Sequence, residues 1–460
     1  MKRCGLLGEK LGHSYSPAIH AELADYAYKL YEVAPDALAA FLTGGDFDAL
    51  NVTIPYKKAV IPYCAALSPI AQKLGSVNVL VRRADGTLYG DNADAYGFAG
   101  MVRASGIAIE GKKTLVLGSG GASSTVHAVL EEMGARSVTI ISRKGEDNYN
   151  NLDRHADAEV IVNTTPVGMY PNCGVSPVDL SLFPKLEGVL DIVYNPARTA
   201  FVLQAEKLGI PYMSGLYMLV AQAKRTAEVF ENRDIPDSET ERIWKKLSLE
   251  MQNIVLVGMP GSGKSTVAAR LAEALDRVAL DSDAEIEEKN GMSCAQLIEK
   301  HGEAEFRELE SEAIAALGKR SGAVIATGGG TLMQPQNVEG FHQGGGTIYY
   351  LDVPLAALQE RLKNDKRRPL LQTPDRRAVI ERLLNERRPK YLASADVVVD
   401  AGAPTVVVVE RICALRGEPI EKAKRKKPGN TSEKEQPQKK RFRRRRRKKG
   451  TSPGTPQENS

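Results

Sequence analysis

Short apolar runs alternate with amphipathic stretches along the first 250 residues. Two such runs, Lys113–Leu117 and Val138–Ile141, enclose a stretch whose apolar residues recur at helical spacing. Apolar runs bounded by turn residues indicate buried strands, and their alternation with helices is typical of βαβ units. The pattern therefore predicts an α/β fold with parallel sheets in this part of the chain.

A second α/β unit is predicted from Asn253, where the strand-like run NIVLVG begins, to about Leu415. The polar segment 230–250 before it contains a Pro-Asp turn and predicts either a connecting helix or a linker. Beyond Leu415 the apolar pattern stops, and Lys, Arg, Pro, Gln, Ser and Gly replace it. Such a segment cannot bury enough apolar surface to offset its ordering entropy, so we predict a disordered tail.

Length and composition narrow the class of protein. The chain has 460 residues, of which 42% are hydrophobic, and this length suggests about two to four folding units. No apolar run approaches the ~18 residues that a membrane span requires, and the first residues lack the apolar stretch of a signal peptide. The five cysteines are scattered without a CxxC spacing, which excludes a disulfide framework and a cysteine-built zinc site. We therefore expect a cytoplasmic protein without membrane contact.

The charge of the chain is divided unevenly. Residues 416–460 contain 17 Lys and Arg against 5 Glu, whereas the whole chain has a net charge of +5. The rest of the chain therefore carries a net charge of −7. A basic tail of this kind predicts either a solvated arm or non-specific binding to RNA or another polyanion.

A glycine-rich turn follows the predicted strand 113–117. Its residues are Gly118, Ser119, Gly120, Gly121 and Ala122. Glycines at a strand-to-helix turn let a pyrophosphate approach the backbone at the helix N-terminus. Ser123 stands where the strict G-x-G-x-x-G pattern has Gly or Ala, so an ordinary glycine turn is the alternative. The strand–glycine–helix–strand context favours a dinucleotide site.

The residues after the second strand indicate which dinucleotide binds. About 20 residues after the glycines, where an NAD enzyme places an acidic residue, this chain has Ser142, Arg143 and Lys144. A guanidinium attracts the 2′-phosphate of NADP, whereas a carboxylate repels it. We predict NADP(H), the alternative being two solvated charges at a strand end.

A phosphate-binding loop follows the strand that begins at Asn253. Residues 258–265 read GMPGSGKS, a full G-x-x-x-x-G-K-S before a helical run. Backbone amides of such a loop hold phosphates, its lysine reaches the outer phosphates, and its hydroxyl residue binds Mg²⁺. We predict an ATP and Mg²⁺ site formed by Gly258, Gly261, Ser262, Gly263, Lys264, Ser265 and Thr266.

Several motifs in the first 240 residues closely resemble those of shikimate dehydrogenase. They are Gly12–Pro17, Asn51–Lys57, Gly75–Asn78, Gly90–Asp94, Asn163–Met169, and Gly215–Leu219 with Gln222. The NVTxPxK and NxD elements are specific to that family. The resemblance implies NADPH-dependent reduction of 3-dehydroshikimate to shikimate. It implies substrate contacts from Ser14, Ser16, Thr53, Asn78, Tyr194 and Gln222, and a cofactor contact from Gly215.

The resemblance also implies that Lys57 and Asp94 form the catalytic pair and contact the substrate. Hydride transfer to a ketone requires a donor at the developing alkoxide, and a lysine beside a carboxylate can shuttle that proton. The family's usual NTD reads Asn-Ala-Asp here, so Ala93 removes one hydroxyl next to the carboxylate. His13 and His20 flank the serine motif, but position alone does not make a base, and we expect neither to be catalytic.

The second half resembles shikimate kinase over about residues 252–415. The motifs beside the phosphate loop are Asp281–Asp283, Phe306–Glu310, Thr327–Gly330, Arg367–Leu371 and Glu386–Tyr391. Strand alternation predicts that the carboxylates of Asp281 and Asp283 lie on one side. We expect the Walker-B-like run Ile348–Asp352 to have no metal role.

The kinase resemblance implies roles for individual residues. The acid substrate would be held by Asp283, Arg307, Arg387 and the glycine turn 328–330 with Gly329 at its centre. Asp281 would join Ser265 at the magnesium site. Lys264 and the lid residue Arg368 would act catalytically on the phosphates. A helix-face ion pair between Arg307 and Glu310 is the alternative for Arg307.

Together the two resemblances imply a bifunctional α/β enzyme that makes shikimate and then phosphorylates it to shikimate 3-phosphate. The predicted architecture is a two-domain dehydrogenase with a Rossmann-like NADP domain, followed by a three-layer α/β/α P-loop kinase. The predicted ranges are 1–97 for the substrate domain, 98–240 for the NADP domain with returning helices, 252–415 for the kinase and 416–460 for the tail. The patterns predict no oligomeric state.

Two other interpretations stay open. One is a quinate-using dehydrogenase fused to another small-metabolite kinase, which Arg143 disfavours because an NAD enzyme would carry an acid there. The other is a basic RNA-associated protein in which one enzyme half is degenerate. The complete Lys57/Asp94 and Lys264/Ser265 sets disfavour it.

Overall fold

The computed structural model describes residues 1–12, 14–365 and 371–418. His13, residues 366–370 and residues 419–460 lie outside the described residues. The predicted role of Arg368 therefore also lies outside them. The described chain contains a six-stranded sheet and two five-stranded sheets. The predicted α/β class is confirmed.

The first sheet has the strand order β2-β1-β3-β5-β6-β4. Its strands are β1 (Arg3–Gly8), β2 (Ala27–Glu32), β3 (Ala49–Val52), β4 (Cys64–Leu67), β5 (Val79–Arg82) and β6 (Leu88–Asp91). Its helices are α1 (Ser16–Leu23), α2 (Leu38–Gly44) and α3 (Pro69–Leu74).

The first sheet is mixed, and here the expectation of parallel sheets was wrong. Strand β5 runs antiparallel to both β3 and β6. A tight turn joins β5 to β6: the amide of Arg83 donates to the carbonyl of Thr87 at 2.8 Å, and Gly86 has a φ of +83°. The Asp-Gly sequence of this turn is a hairpin signal, which requires antiparallel neighbours.

The second sheet is parallel and has the order β11-β10-β9-β7-β8. Its strands are β7 (Lys113–Leu117), β8 (Ser137–Ile141), β9 (Val160–Asn163), β10 (Gly188–Asp191) and β11 (Tyr212–Ser214). Helix α4 (Asp94–Ser105) leads into it, and α5 (Gly121–Glu132) and α6 (Ala200–Lys207) pack on it. The strand order reverses beside β7, and ligands of open α/β sheets bind at such a reversal.

Two long helices return from the second sheet to the first. They are α7 (Leu216–Glu231) and α8 (Asp237–Met251). Ile243, Leu247 and Met251 of α8 are buried in one cluster with Val220 and Phe230. The segment 230–250 is therefore mostly helix rather than linker, because α8 has an apolar face to bury.

The third sheet is parallel, with the order β13-β14-β12-β15-β16. Its strands are β12 (Ile254–Val257), β13 (Ala279–Asp281), β14 (Val324–Ala326), β15 (Thr347–Asp352) and β16 (Val397–Asp400). Its helices are α9 (Lys264–Leu275), α10 (Ser282–Asn290), α11 (Cys294–Gly318), α12 (Pro335–Gln343), α13 (Leu355–Leu362), α14 (Arg376–Ser394) and α15 (Thr405–Arg416). After β12 the chain forms first one side of the sheet (β13 and β14) and then the other (β15 and β16), an order in which the usual right-handed connections place helices on both faces.

The end of the described chain differs from the predicted boundary at residue 415. Helix α15 extends to Arg416, which is 7% exposed. Glu418 accepts from Arg277 at 2.8 Å and pairs with Arg416. Both arginines also donate to the carbonyl of Leu249 at the end of α8, at 2.9 and 2.8 Å. Residues 416–418 therefore belong to the folded part of the chain, because these buried charges need each other.

None of the helices in the described part of the chain is long and apolar enough to cross a bilayer.

Candidate active sites

A lysine–carboxylate pair lies at the carboxyl edge of the first sheet. The Nζ of Lys57 donates to the Oδ2 of Asp94 at 2.6 Å. The two side chains are 32% and 19% exposed, so the pair is shielded yet open to a ligand. Asp94 begins α4, and its amide donates to the side chain of Asn92 at 3.0 Å. Lys57 lies in the turn that follows β3, and the short contact between its ammonium group and the helix-borne carboxylate of Asp94 suits proton transfer.

The predicted substrate residues are brought to this edge from several elements. Asn78 is 3% exposed, and its Oδ1 accepts from the amide of Ala93, the position without the family hydroxyl, at 2.7 Å. Ser14 accepts from the amide of Ser16 at 3.2 Å. Thr53 lies directly after β3, and its amide donates to the carbonyl of Leu7 in the neighbouring β1 at 2.9 Å.

Tyr194 and Gln222 approach from the second sheet and the returning helix. The ring of Tyr194 meets that of Tyr15 edge-on at 6.0 Å, which places it beside the serine loop. Gln222 lies on α7 against Gly97 of α4, where a Cβ would be 2.8 Å from the Cβ of Gln222. That close approach requires glycine in α4 and holds Gln222 near Asp94.

Sequence reasoning missed a polar network behind these residues. Asn51, 5% exposed, accepts from the hydroxyl of Tyr28 at 2.8 Å and donates to Thr226 at 3.1 Å. Thr226 donates in turn to the carbonyl of Gln222 at 2.9 Å. Asn51 was visible in the NVTxPxK motif, but its partners, up to 175 residues away, carry no local signal.

His20 is a core residue. Its ring stacks on Tyr28 at 4.2 Å and is 1% exposed. Burial lowers the pKa of His20 to about 3, so the imidazole is neutral. That His20 has no catalytic role stays a prediction.

The glycine turn after β7 forms an open cradle. Gly118 has a φ of +103°, and a Cβ there would be 2.9 Å from the side chain of Thr165. Gly120 and Gly121 have open space where a Cβ would stand, and helix α5 begins at Gly121 without a side-chain cap. Ala122 follows in its first turn. Backbone amides of an open glycine turn at a helix N-terminus can hold a pyrophosphate.

Three further predicted cofactor residues lie where the next strand ends, and a fourth lies at α7. Ser142 is half-buried directly after β8, whereas Arg143 and Lys144 are exposed. Gly215 precedes α7, and a Cβ there would be 2.1 Å from the carbonyl of Ile192. Only glycine therefore allows the chain to pass at that point.

The phosphate loop connects β12 to α9. The Nζ of Lys264 donates to the carbonyls of Gly258 and Met259 at 2.9 and 3.1 Å, so its side chain folds over the loop. The hydroxyl of Ser265 donates to the Oδ2 of Asp281 at 2.7 Å. Gly261 and Gly263 have φ values of +80° and +92°, which favour glycine. Ser262 is buried within the loop, and Thr266 is exposed on α9.

The expectation that alternation along a strand aligns Asp281 and Asp283 was wrong. Strand β13 ends at Asp281, and helix α10 begins at Ser282. Asp281 caps this helix by accepting from the amide of Asp283 at 3.1 Å. A carboxylate favours a helix N-terminus, so the chain turns into a helix before alternation can continue.

Asp283 faces the glycine turn after β14. A Cβ on Gly328 would be 2.7 Å from the Oδ1 of Asp283 and 3.1 Å from Glu310. Asp283 is still an exposed residue, so its carboxyl group is open to a ligand although the protein around it displaces part of its hydration. This desolvation, together with the charge of Asp281, raises the pKa of Asp283 to about 6.

Two predicted arginines meet at the same turn. A Cβ on Gly330 would be 2.7 Å from the Nη1 of Arg307, and Arg387 donates to the carbonyl of Gly329 at 3.0 Å. Arg307 also pairs with Glu310 at 2.7 Å, so the helix-face ion pair and the turn contact exist together. Sequence reasoning did not assign Glu310, whose 1% exposure marks it as the buried counter-charge of this cluster.

The Walker-B-like strand ends in a paired carboxylate. Asp352 accepts from Arg388 at 2.8 Å and from the hydroxyl of Tyr350 at 2.9 Å. Within the described ranges, no group of three or more His, Cys, Asp or Glu side chains could hold a metal ion. A magnesium ion at Ser265 and Asp281 would thus depend on phosphate and water for its other ligands, as is usual for Mg²⁺.

Two protein families match the chain in separate regions. The profile described as the shikimate dehydrogenase substrate binding domain matches residues 6–80. The profile described as shikimate kinase matches residues 260–415. The two matches lie in the first and third sheets.

Individual relatives match the first half of the chain. The shikimate dehydrogenase (NADP(+)) of Clostridium perfringens (strain SM101) is 35% identical over 268 residues, covering 54% of this chain and 98% of the relative. That of Oleidesulfovibrio alaskensis is 37% identical over 263 residues, covering 52% and 93%. A crystal structure of a chorismate mutase/shikimate 5-dehydrogenase fusion protein from Clostridium acetobutylicum aligns with a TM-score of 0.51 and 34% identity, covering 54% of this chain and 97% of that one.

Proposed function

Since this chain belongs to the shikimate dehydrogenase family and carries a shikimate kinase domain in its second half, we propose that it catalyses two consecutive reactions. The first reduces 3-dehydroshikimate to shikimate with NADPH, and the second phosphorylates shikimate with ATP. The observation that carries this proposal is that one chain contains the predicted residues of both active sites. The product of the first reaction, shikimate, is the substrate of the second.

In the dehydrogenase half, we propose that Lys57 protonates the alkoxide as the ketone is reduced. The bound NADPH supplies the hydride. Asp94, at 2.6 Å from Lys57, orients the ammonium group and stabilises its charge. Ser14, Ser16, Thr53, Asn78, Tyr194 and Gln222 would hold the hydroxyl and carboxylate groups of the ring. Their arrival from different elements at one edge supports this role.

We further propose that Arg143 makes the first half NADP-specific, with Ser142 and Lys144 beside it. Arg143→Asp should raise the KM for NADPH by about 10-fold or more, because a charge-assisted hydrogen bond is replaced by repulsion. The KM for NADH should change little. Steady-state kinetics with both cofactors measure this, and Arg154→Asp, an exposed charge change on the same connection, is the control. An unchanged NADPH-to-NADH ratio would make Arg143 an ordinary surface charge.

In the kinase half, we propose that Asp283 accepts the proton of the attacking hydroxyl. Arg307 and Arg387 would bind the substrate carboxylate, with the glycine turn around Gly329 between them. Lys264 would neutralise the outer phosphates of ATP, and Ser265 and Asp281 would hold Mg²⁺. We extend the lid role to Arg368 from the resemblance alone. The convergence of Asp283, Gly328 and Glu310 supports the substrate assignment.

The raised pKa of Asp283 predicts an acid limb in the kinase profile. Because that pKa is about 6, the carboxyl is protonated below it and cannot accept a proton. The kcat/KM for shikimate, measured at sub-saturating MgATP, should fall about tenfold per pH unit below about 6. An aspartate with its ordinary pKa of ~3.9 would keep the rate level down to about pH 4. A level profile between pH 6 and 4.5 would contradict a proton acceptor with the raised pKa of Asp283.

The basic tail supports a separate proposal, which is non-specific contact with RNA or another polyanion. Ending the chain after Ile420 should abolish polyanion binding at low salt and leave both activities nearly unchanged. Binding of a labelled single-stranded RNA at increasing salt measures this, since counterion release makes it steeply salt-dependent. The shortened chain must keep Glu418, because without it the buried charges of Arg277 and Arg416 would lack their carboxylate partner. If the full-length chain did not bind RNA at low salt, the proposal would fail and the tail would be only a solvated arm.

For the ranges of the domains, we propose 1–97 and 98–251 for the two dehydrogenase domains and 252–418 for the kinase. The first dehydrogenase boundary is as predicted, but the second moves from 240 to 251 because α8 is buried in one cluster with α7 and strands of the first sheet. The end of the kinase moves from 415 to 418 because of the contacts of Glu418. We propose a cytoplasmic location, which the free state of all five cysteines supports.

Separate assays of the full chain test the proposed function. Shikimate should reduce NADP⁺ without ATP, and shikimate with MgATP should release ADP without NADP⁺. Each assay is repeated with quinate in place of shikimate. If the chain turned over quinate with NAD⁺ at least as fast as shikimate with NADP⁺, the quinate-type alternative would be favoured.

A further inference from the structure

The connection between β8 and β9 holds the predicted 2′-phosphate residues without the help of an α-helix. After Ile141 the chain forms a turn over residues 142–151 and a single 3₁₀ turn, Leu152–His155, before β9 begins at Val160. In dinucleotide-binding folds a βαβ crossover helix usually fixes such a strand end. Other contacts must therefore fix Ser142, Arg143 and Lys144 in this chain.

Hydrogen bonds inside the turn close it on itself. The amide of Ser142 donates to the carbonyl of Asp147 at 3.1 Å. The Nδ2 of Asn148 donates to the carbonyls of Gly145 and Glu146, both at 3.2 Å, and that of Asn151 donates to Glu146 at 2.9 Å. The carbonyls of residues 145–147 are thus engaged within the turn, while the cationic side chains of residues 143 and 144 are exposed.

A histidine–aspartate contact ties this turn to the body of the domain. The Nε2 of His155 lies 2.8 Å from the Oδ1 of Asp147. The His155 side chain is 11% exposed and that of Asp147 is 35% exposed. The contact therefore joins a largely buried imidazole to a carboxylate at the surface of the turn. Asp147 is held twice, because His155 binds its carboxylate and Ser142 binds its carbonyl.

We infer that Asp147 and His155 are positioning residues for cofactor selectivity, which hold Ser142, Arg143 and Lys144 where they bind the 2′-phosphate of NADP. The inference rests on the NADP-dependent dehydrogenase function proposed above. A turn that is ordered before binding loses less conformational entropy when the ligand arrives. Loosening the turn should therefore weaken the binding of ligands that carry a 2′-phosphate more than the binding of ligands that lack one.

The test compares 2′,5′-ADP with 5′-AMP, which differ in the 2′-phosphate. Calorimetric titration of the full chain should give a Kd for 2′,5′-ADP that rises about 3- to 10-fold in His155→Ala and in Asp147→Ala. The Kd for 5′-AMP should stay within about twofold. His155→Gln retains a donor at similar reach and should restore most of the affinity. His127→Ala is the matched control, because His127 is half-buried on α5 and pairs with Glu131.

The kinase activity and thermal unfolding of each variant report whether the chain is folded. Equal weakening of both nucleotides, or no weakening of 2′,5′-ADP in folded variants, would overturn the inference while leaving the NADP assignment intact. A wild-type chain that bound both nucleotides equally would overturn the NADP assignment itself, and the inference with it.

Discussion

Lys57→Ala is expected to lower the turnover of 3-dehydroshikimate reduction by about 10²–10⁴-fold, the usual scale for losing a general acid or base. The reason is geometric. The Nζ of Lys57, at 2.6 Å from Asp94, is the proton donor that this edge of the first sheet presents to a developing alkoxide. Without it the negative charge must be neutralised by solvent, which the half-buried site restricts.

The measurement for Lys57 is kcat from NADPH oxidation, with kinase activity recorded on the same sample. Lys58→Ala is the matched control, because Lys58 is the exposed neighbour of Lys57. We expect the control to keep both activities and Lys57→Ala to keep the kinase alone. Near-normal reduction by Lys57→Ala would show that another group protonates the product.

Lys264→Ala is expected to lower kinase turnover by about 10²–10³-fold, the scale for removing one preorganised contact to a developing charge. In the structure its Nζ is held over the phosphate loop by the carbonyls of Gly258 and Met259. A cation in that position neutralises the outer phosphates as the phosphoryl group moves. Alanine leaves the loop backbone in place, so ATP binding should weaken less than turnover.

The measurement for Lys264 is ADP release with shikimate as acceptor, and dehydrogenase activity reports whether the chain is folded. Lys300→Ala, at an exposed position of α11, is the control. Loss of both activities in Lys264→Ala would indicate misfolding or tight coupling between the halves. Full kinase turnover in that variant would contradict the phosphate role.

The sequence predicted those parts of the fold whose signal is local. The phosphate loop and the glycine turn after β7 lie at the predicted strand-to-helix junctions because glycine spacing and apolar runs report on neighbouring residues. The family resemblance brought Lys57 and Asp94 together, although they are 37 residues apart. Periodicity alone would not have paired them.

The sequence did not predict features that depend on packing between distant elements. The network from Asn51 to Thr226 is of this kind. The antiparallel β5 and the helical position of Asp283 instead have local causes, the Asp-Gly turn before β6 and the helix cap of Asp281, which the pattern of apolar runs does not report. The hydrogen bond between Asn51 and Thr226 spans 175 residues, and no pattern in either segment encodes it. Arg277 and Glu418, which are 141 residues apart, likewise form a contact. Because of it, the folded chain continues beyond the point where the apolar pattern stops.

One measurement tests the central claim most directly. The full chain is incubated with 3-dehydroshikimate, NADPH, ATP and Mg²⁺, and the products are identified by mass. We predict shikimate 3-phosphate, with one NADPH oxidised and one ATP consumed for each molecule formed. Accumulation of shikimate without its phosphate, or ATP consumption without NADPH oxidation, would contradict the assignment of two consecutive reactions to this chain.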